Sequence, residues 1–158
     1  MEASKNFIPY IKKTKIVWDI SVFFVGLSHK CGKHGEVLEA FCDSTNSGKV
    51  ISEILRKSNG VAVYTTNLVK WVPIDSQGKI RYPNLEEKQT WLIELEKEIQ
   101  IYKPKQIFCF GKQVSDFVVK NLSLKNIEVI SVEHPSYIAI YKRKDMDDYI
   151  ANICEQIN

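Results

Sequence analysis

Ile16-Val17-Trp18-Asp19-Ile20-Ser21-Val22-Phe23-Phe24-Val25-Gly26 is the stretch on which the fold turns. From Ile16 to Val25 it is rich in β-branched and aromatic residues, and Gly26 stands where the run stops, which reads as a buried strand ending at a tight turn of the backbone. Strands with so little polar alternation sit in parallel sheets covered by helices on both faces. The rest of the chain should therefore alternate between strands and helices.

It does. Ser47 can cap a helix that carries Val50, Ile51, Ile54 and Leu55 on one face and stops at Asn59-Gly60. Val61 to Val69 follows as a second strand, then a loop from Trp71 to Pro83 with two prolines and Gly78. Asn84 with Glu87 forms a capping box for a helix with a stripe of Leu92, Leu95, Ile99 and Tyr102. Pro104 ends it, Gln106 to Phe110 is a third strand, and Gly111 opens a helix with Val114, Phe117 and Val118 inward. Ile127 to Val132 is the fourth strand, Glu133 to Tyr137 a loop, and Met146, Tyr149, Ile150 and Ile153 mark a final amphipathic helix. The expectation is an α/β fold of three layers, with a central four-stranded parallel sheet.

Length and composition bound the rest. A chain of 158 residues, 44% hydrophobic and 26% charged, suits one globular domain and argues against a disordered tail. The net charge of +3 permits a polyanionic partner without demanding one. Basic residues cluster at Lys12, Lys13 and Lys15 and again at Lys142, Arg143 and Lys144. The run Ile20 to Leu27 is too short to span a bilayer and the start lacks a signal-peptide core, so a cytoplasmic protein is expected. Cys31, Cys42, Cys109 and Cys154 form no CxxC pair, and reduced thiols are expected.

In a parallel sheet the ligand site lies beyond the carboxyl ends of the strands. His29, His34 and His134, which are all the histidines of the chain, fall in such regions, and Asn67 sits near the end of the second strand. A side-chain amide offers a donor and an acceptor together, as an imide edge requires. From Leu27 to Asn46 periodicity disappears, leaving a loop long enough to expect function in it. His29, Cys31, His34 and Cys42 share that loop, but their spacing fits no standard zinc motif, and no metal is expected. Gly26, Gly32 and Gly35 do not give the GxGxxG spacing of a dinucleotide site.

Four segments in order carry a resemblance. Val25-Gly26-Leu27-Ser28 with Phe41 and Ser47-Gly48, then Tyr64-Thr65-Thr66-Asn67-Leu68-Val69-Lys70, then Pro104 to Gly111, and last His134-Pro135-Ser136, together resemble the motifs of the uracil-DNA glycosylase superfamily. The likeness runs from about Lys15 onward and implies that residues 1–158 form one domain of that fold. It also implies a monofunctional DNA glycosylase that flips uracil or another damaged or modified base out of DNA and hydrolyses its N-glycosidic bond, acting as a monomer without a cofactor.

Carried over by position, the resemblance implies a base pocket of Gly26, Leu27, Ser28, Phe41 and Asn67, with Phe41 stacking on the base and Asn67 reading its edge. His134 would donate to a base carbonyl as charge develops there, in either protonation state. Lys70, Ser136, Tyr137, Lys142 and Arg143 would meet DNA, with Tyr137, Ile138 and Tyr141 as candidates to fill the gap left by the base. The first motif departs from the family, with Leu27, Ser28 and His29 where a water-positioning residue is usual. Glu36, Glu39, Asp43, His29 and His34 are the substitutes in reach, and Asp43, just after Phe41, is the choice. Some microbial relatives hold an iron-sulfur cluster, but Trp71 stands where one of its cysteines would fall and no cluster is implied. The alternative is a DNA-binding protein of the same fold with impaired catalysis.

Overall fold

The computed structural model describes the backbone of residues 7–9 and residues 19–58 and 60–157. In chain order the elements are β1 (Phe7–Pro9), β2 (Val22–Ser28), α1 (Asn46–Lys57), β3 (Val63–Val69), β4 (Trp71–Pro73), α2 (Leu85–Tyr102), β5 (Gln106–Phe110), α3 (Lys112–Asn121), β6 (Glu128–Val132), α4 (Pro135–Tyr141), a 3-10 turn (Arg143–Asp145) and α5 (Met146–Gln156). Four strands form one all-parallel sheet, as the sequence predicts, in the order β3-β2-β5-β6, and β1 pairs with β4 in a separate antiparallel ribbon.

The period-two geometry of the strands divides the core in two. Phe23, Val25, Ile107 and Cys109 face α2 and α3, where Leu95, Ile99, Val114, Phe117 and Val118 meet them. Val22, Phe24, Phe108 and Phe110 face the other way, onto Val50, Ile51 and Ile54 of α1 and Ile150 and Ile153 of α5. Phe23, Phe24, Phe108 and Phe110 are fully buried, and each contributes about 2–3 kcal/mol of transfer free energy. Burial on both faces explains the unbroken apolar runs of β2 and β5. Among the described residues no helix is long and apolar enough to cross a membrane.

Four boundaries differ from the sequence reading, each for a local reason. The described strand begins at Val22 and passes through Gly26 to Ser28, while Asp19, with φ of 65°, breaks the extended run before it; Ile16 to Trp18 lie outside the described residues. Thr45, not Ser47, caps α1, accepting from the Gly48 N–H at 2.9 Å. Trp71 to Pro83 is not all loop, since β4 and an Ile74–Ile80 bridge give it a folded-back shape. The segment after β6 is helical from Pro135, with His134 as its N-cap. Proline at the first helical position is preset for that conformation, so His-Pro-Ser starts a helix here instead of prolonging a loop.

Candidate active site

At the carboxyl end of the sheet lies a cavity of about 730 Å³, within the range of small-molecule sites. Gly26, Leu27 and Ser28 at the end of β2, Asn67 of β3, Phe110 at the end of β5 with Gly111 after it, and His134 after β6 line it, and the long loop adds Phe41. The three side chains on which the sequence reading depends, Phe41, Asn67 and His134, therefore face one space.

Gly26 makes their meeting possible. It pairs in register with Asn67. A Cβ on Gly26 would lie 2.5 Å from the Asn67 carboxamide oxygen and 3.1 Å from the Phe41 ring, so any side chain there would push both away. The glycine is thus required by a close approach of two side chains, not by a turn. The Phe41 ring also packs edge-on against Phe110, with centroids 5.2 Å apart. Its backbone takes φ of 54°, a region costly for an aromatic residue, held by a turn in which the Cys42 N–H donates to the Glu39 carbonyl. Gly48 then lets α1 pack directly on the Cys42 carbonyl.

Asn67 is only 4% exposed as a residue, but its carboxamide is not among the sealed-off polar atoms; it lines the cavity and makes no hydrogen bond among the described residues. Buried amides in folded proteins are almost always paired. One that faces a cavity and is left open is equipped to pair with something that enters it.

His134 is prepared differently. Its Nδ1 accepts from the Ser136 backbone N–H at 3.2 Å and from the Ser136 hydroxyl at 2.6 Å. A backbone N–H can only donate, so Nδ1 carries no proton and the neutral ring is a donor through Nε2–H. Burial, reinforced by the nearby Lys30 charge, lowers the imidazole pKa to about 4. The alternative left open by the sequence thus resolves to a neutral donor at physiological pH.

A family model described as the uracil DNA glycosylase superfamily matches residues 17–158. The chain belongs to that superfamily. Among solved structures it is similar to wild-type SMUG2 of Pedobacter heparinus, with a TM-score of 0.69 and 18% identity over 87% of this chain and 74% of that one, a likeness of fold. No curated protein sequence matches the chain.

Several superfamily positions are corrected by the structure. Asp43 is exposed and does not line the cavity, although its neighbours Phe41, Cys42 and Thr45 do. Glu39, also exposed, does line it and is the one carboxylate among the described lining residues. Lys70 does not reach outward as a phosphate contact would. It is 14% exposed and holds Glu98 at 2.5 Å, the Asn67 carbonyl at 2.6 Å and the Thr66 hydroxyl at 3.0 Å. Burial lowers its pKa and Glu98 offsets part of that.

On α4 the helical period sets Tyr137, Ile140 and Tyr141 on one exposed face at the mouth of the cavity and turns Ile138 into the core. Ile138 is therefore no insertion candidate, and Ile140, which the loop reading missed, shares the face of the two tyrosines. Lys142 is exposed and pairs with Glu133 at 3.3 Å. Arg143 lines a second depression with Lys49, and Ile140 lines both that depression and the main cavity. His29 is buried and bonds the Leu38 carbonyl at 2.9 Å, while His34 is exposed, and among the described residues no three His, Cys, Asp or Glu side chains gather as a metal site. The cavity also takes in Ile80, Arg81 and Tyr82, which the sequence reading did not single out because nothing in a proline-bearing loop marks an apolar residue as a rim.

Proposed function

We propose that the protein is a monofunctional DNA glycosylase that receives a flipped-out uracil or related base and hydrolyses its N-glycosidic bond. The observation that carries this reading is the convergence of the open Asn67 amide, the Nε2–H of a neutral His134 and the Phe41 ring on one cavity. Each matches a need of base excision. Phe41 offers a face for stacking, and Asn67 offers a donor and an acceptor to an imide edge.

As the C1′–N bond breaks, its electron pair goes to the base and negative charge collects on the carbonyl oxygens. A neutral donor already desolvated at that oxygen stabilises the transition state more than the ground state, and the Lys30 charge acts in the same direction. Glu39 faces the opposite charge, that of the oxocarbenium-like sugar, and can hold the water whose oxygen bonds to C1′ and accept its proton. The departing base then takes a proton from solvent.

Purified protein incubated with oligonucleotides containing uracil, hypoxanthine, xanthine or modified cytosines should produce alkali-labile sites with at least one of them. Asn67→Ala, His134→Ala and Glu39→Gln should each reduce that cleavage strongly with the fold intact. Full activity in both Asn67→Ala and His134→Ala would refute the pocket assignment. Tight binding of a modified oligonucleotide without scission would make the protein a base reader instead of a hydrolase.

A further inference from the structure

We infer that Ile80 and Tyr82 form a second DNA-contacting edge of the cavity, on which a base next to the flipped nucleotide stacks. This rests on the glycosylase reading and extends it to how the flanking strand is held.

Ile80 is 47% exposed and Tyr82 76%, yet both line the same cavity as Asn67 and His134. Large apolar side chains left in water at the mouth of a site are contact surfaces by default. Their support is firm. The Arg81 guanidinium between them donates to Glu87 at 2.6 and 3.3 Å, to the Ile74 carbonyl at 3.0 Å and to the Tyr82 carbonyl at 3.1 Å. Glu87 in turn completes the cap of α2 with Asn84, and the Ile74–Ile80 bridge closes the other side. Held from both directions, the segment presents Tyr82 with little ordering left to be done on contact.

The Arg81 charge is engaged with Glu87, so what residues 80–82 turn outward is mainly apolar surface. The opposite edge differs. There Tyr137, Ile140 and Tyr141 are followed by the exposed Arg143 and Lys144, with Lys142 paired to Glu133 at 3.3 Å. The two edges follow the two outer strands of the sheet, β3 through β4 on one side and β6 on the other, so the base pocket opens between them. A nucleic-acid strand with its phosphates toward the cationic edge would turn a base face toward Ile80 and Tyr82, and aromatic stacking accepts any base there.

The test is fluorescence anisotropy with an oligonucleotide carrying a tetrahydrofuran abasic analogue, which has no base for the pocket to read. Tyr82→Ala should weaken binding by about tenfold, Tyr82→Phe should retain it, and Ile101→Ala, an exposed apolar residue of α2 outside the cavity, should leave it unchanged. Wild-type binding that survives Tyr82→Ala within about twofold overturns the second edge and leaves the glycosylase reading standing. Failure of the wild-type protein to bind any such oligonucleotide overturns both.

Discussion

Polar side chains on and beside β3 use their hydrogen-bonding capacity in opposite ways. Tyr64, Thr66 and Lys70 point to the α2 side and close on Glu98, with Tyr64 at 2.5 Å and Thr66 at 2.9 Å, so every member has partners within the protein. Asn67, one residue from Thr66, sits at the cavity with its amide open. Composition does not separate the two, since both are polar side chains on or next to the same strand with little or partial exposure. Satisfaction does: a closed network holds the fold, and an open one awaits a ligand.

Breaking the closed network should have the largest effect on stability. Lys70→Met removes the ammonium that Glu98 holds at 2.5 Å in a largely buried setting, and the expected loss is about 3–5 kcal/mol by denaturant unfolding. Glu98→Gln in the same chain removes the charge while keeping an acceptor for Tyr64 and Thr66, and most of the loss should return. A Lys70→Met protein as stable as wild type would show that the network is not structural.

The open side should behave in reverse. Asn67→Ala is expected to cost about 10²–10³-fold in kcat, roughly 3–4 kcal/mol of transition-state stabilisation, while stability shifts by less than about 1 kcal/mol because no intramolecular hydrogen bond is lost. Similar losses of stability in Asn67→Ala and Lys70→Met would erase the contrast.

This contrast also marks how far the sequence could be read. Periodicity revealed the strand and helix order, because burial on one or both faces leaves its pattern in each segment. Gly26, Phe41, Asn67 and His134 were recognisable because the motif types and their order survive in one dimension. The role of Gly26 was not, since the need for a missing Cβ comes from Asn67 and Phe41, which only the fold brings over it. Lys70 looked like a phosphate contact because its partner Glu98 lies on another element. Ile138 was misjudged because a loop was expected where Pro135 starts a helix, and a helix shows a different set of side chains to solvent.

A smaller effect sharpens the comparison through pH. The folded-state pKa of His134 is about 4, below the ordinary 6.5 of an unfolded chain, so between these values the unfolded state binds the extra proton. The His134 contribution is therefore fully present above about pH 6.5 and is lost as pH falls toward 4, by at most about 3 kcal/mol. Unfolding free energies measured across that range for wild type and His134→Asn should diverge with this sign. Activity should show no titration near 6.5 from this residue, because the donor form is already the neutral one.

The smallest expected effect tests the turn at Phe41. Asp43 and Glu39 flank the same ring, both are exposed, and spacing alone favours neither; of the two, Glu39 lines the cavity and Asp43 does not. Asp43→Asn should thus leave kcat within about twofold of wild type, in the range of surface changes, while Glu39→Gln lowers it by orders of magnitude. Side-by-side single-turnover rates on one oligonucleotide decide the matter. A severe loss in Asp43→Asn with Glu39→Gln unharmed would mean that the loop rearranges when DNA binds, and the carboxylate facing the sugar would then have to be reassigned to the far side of the turn.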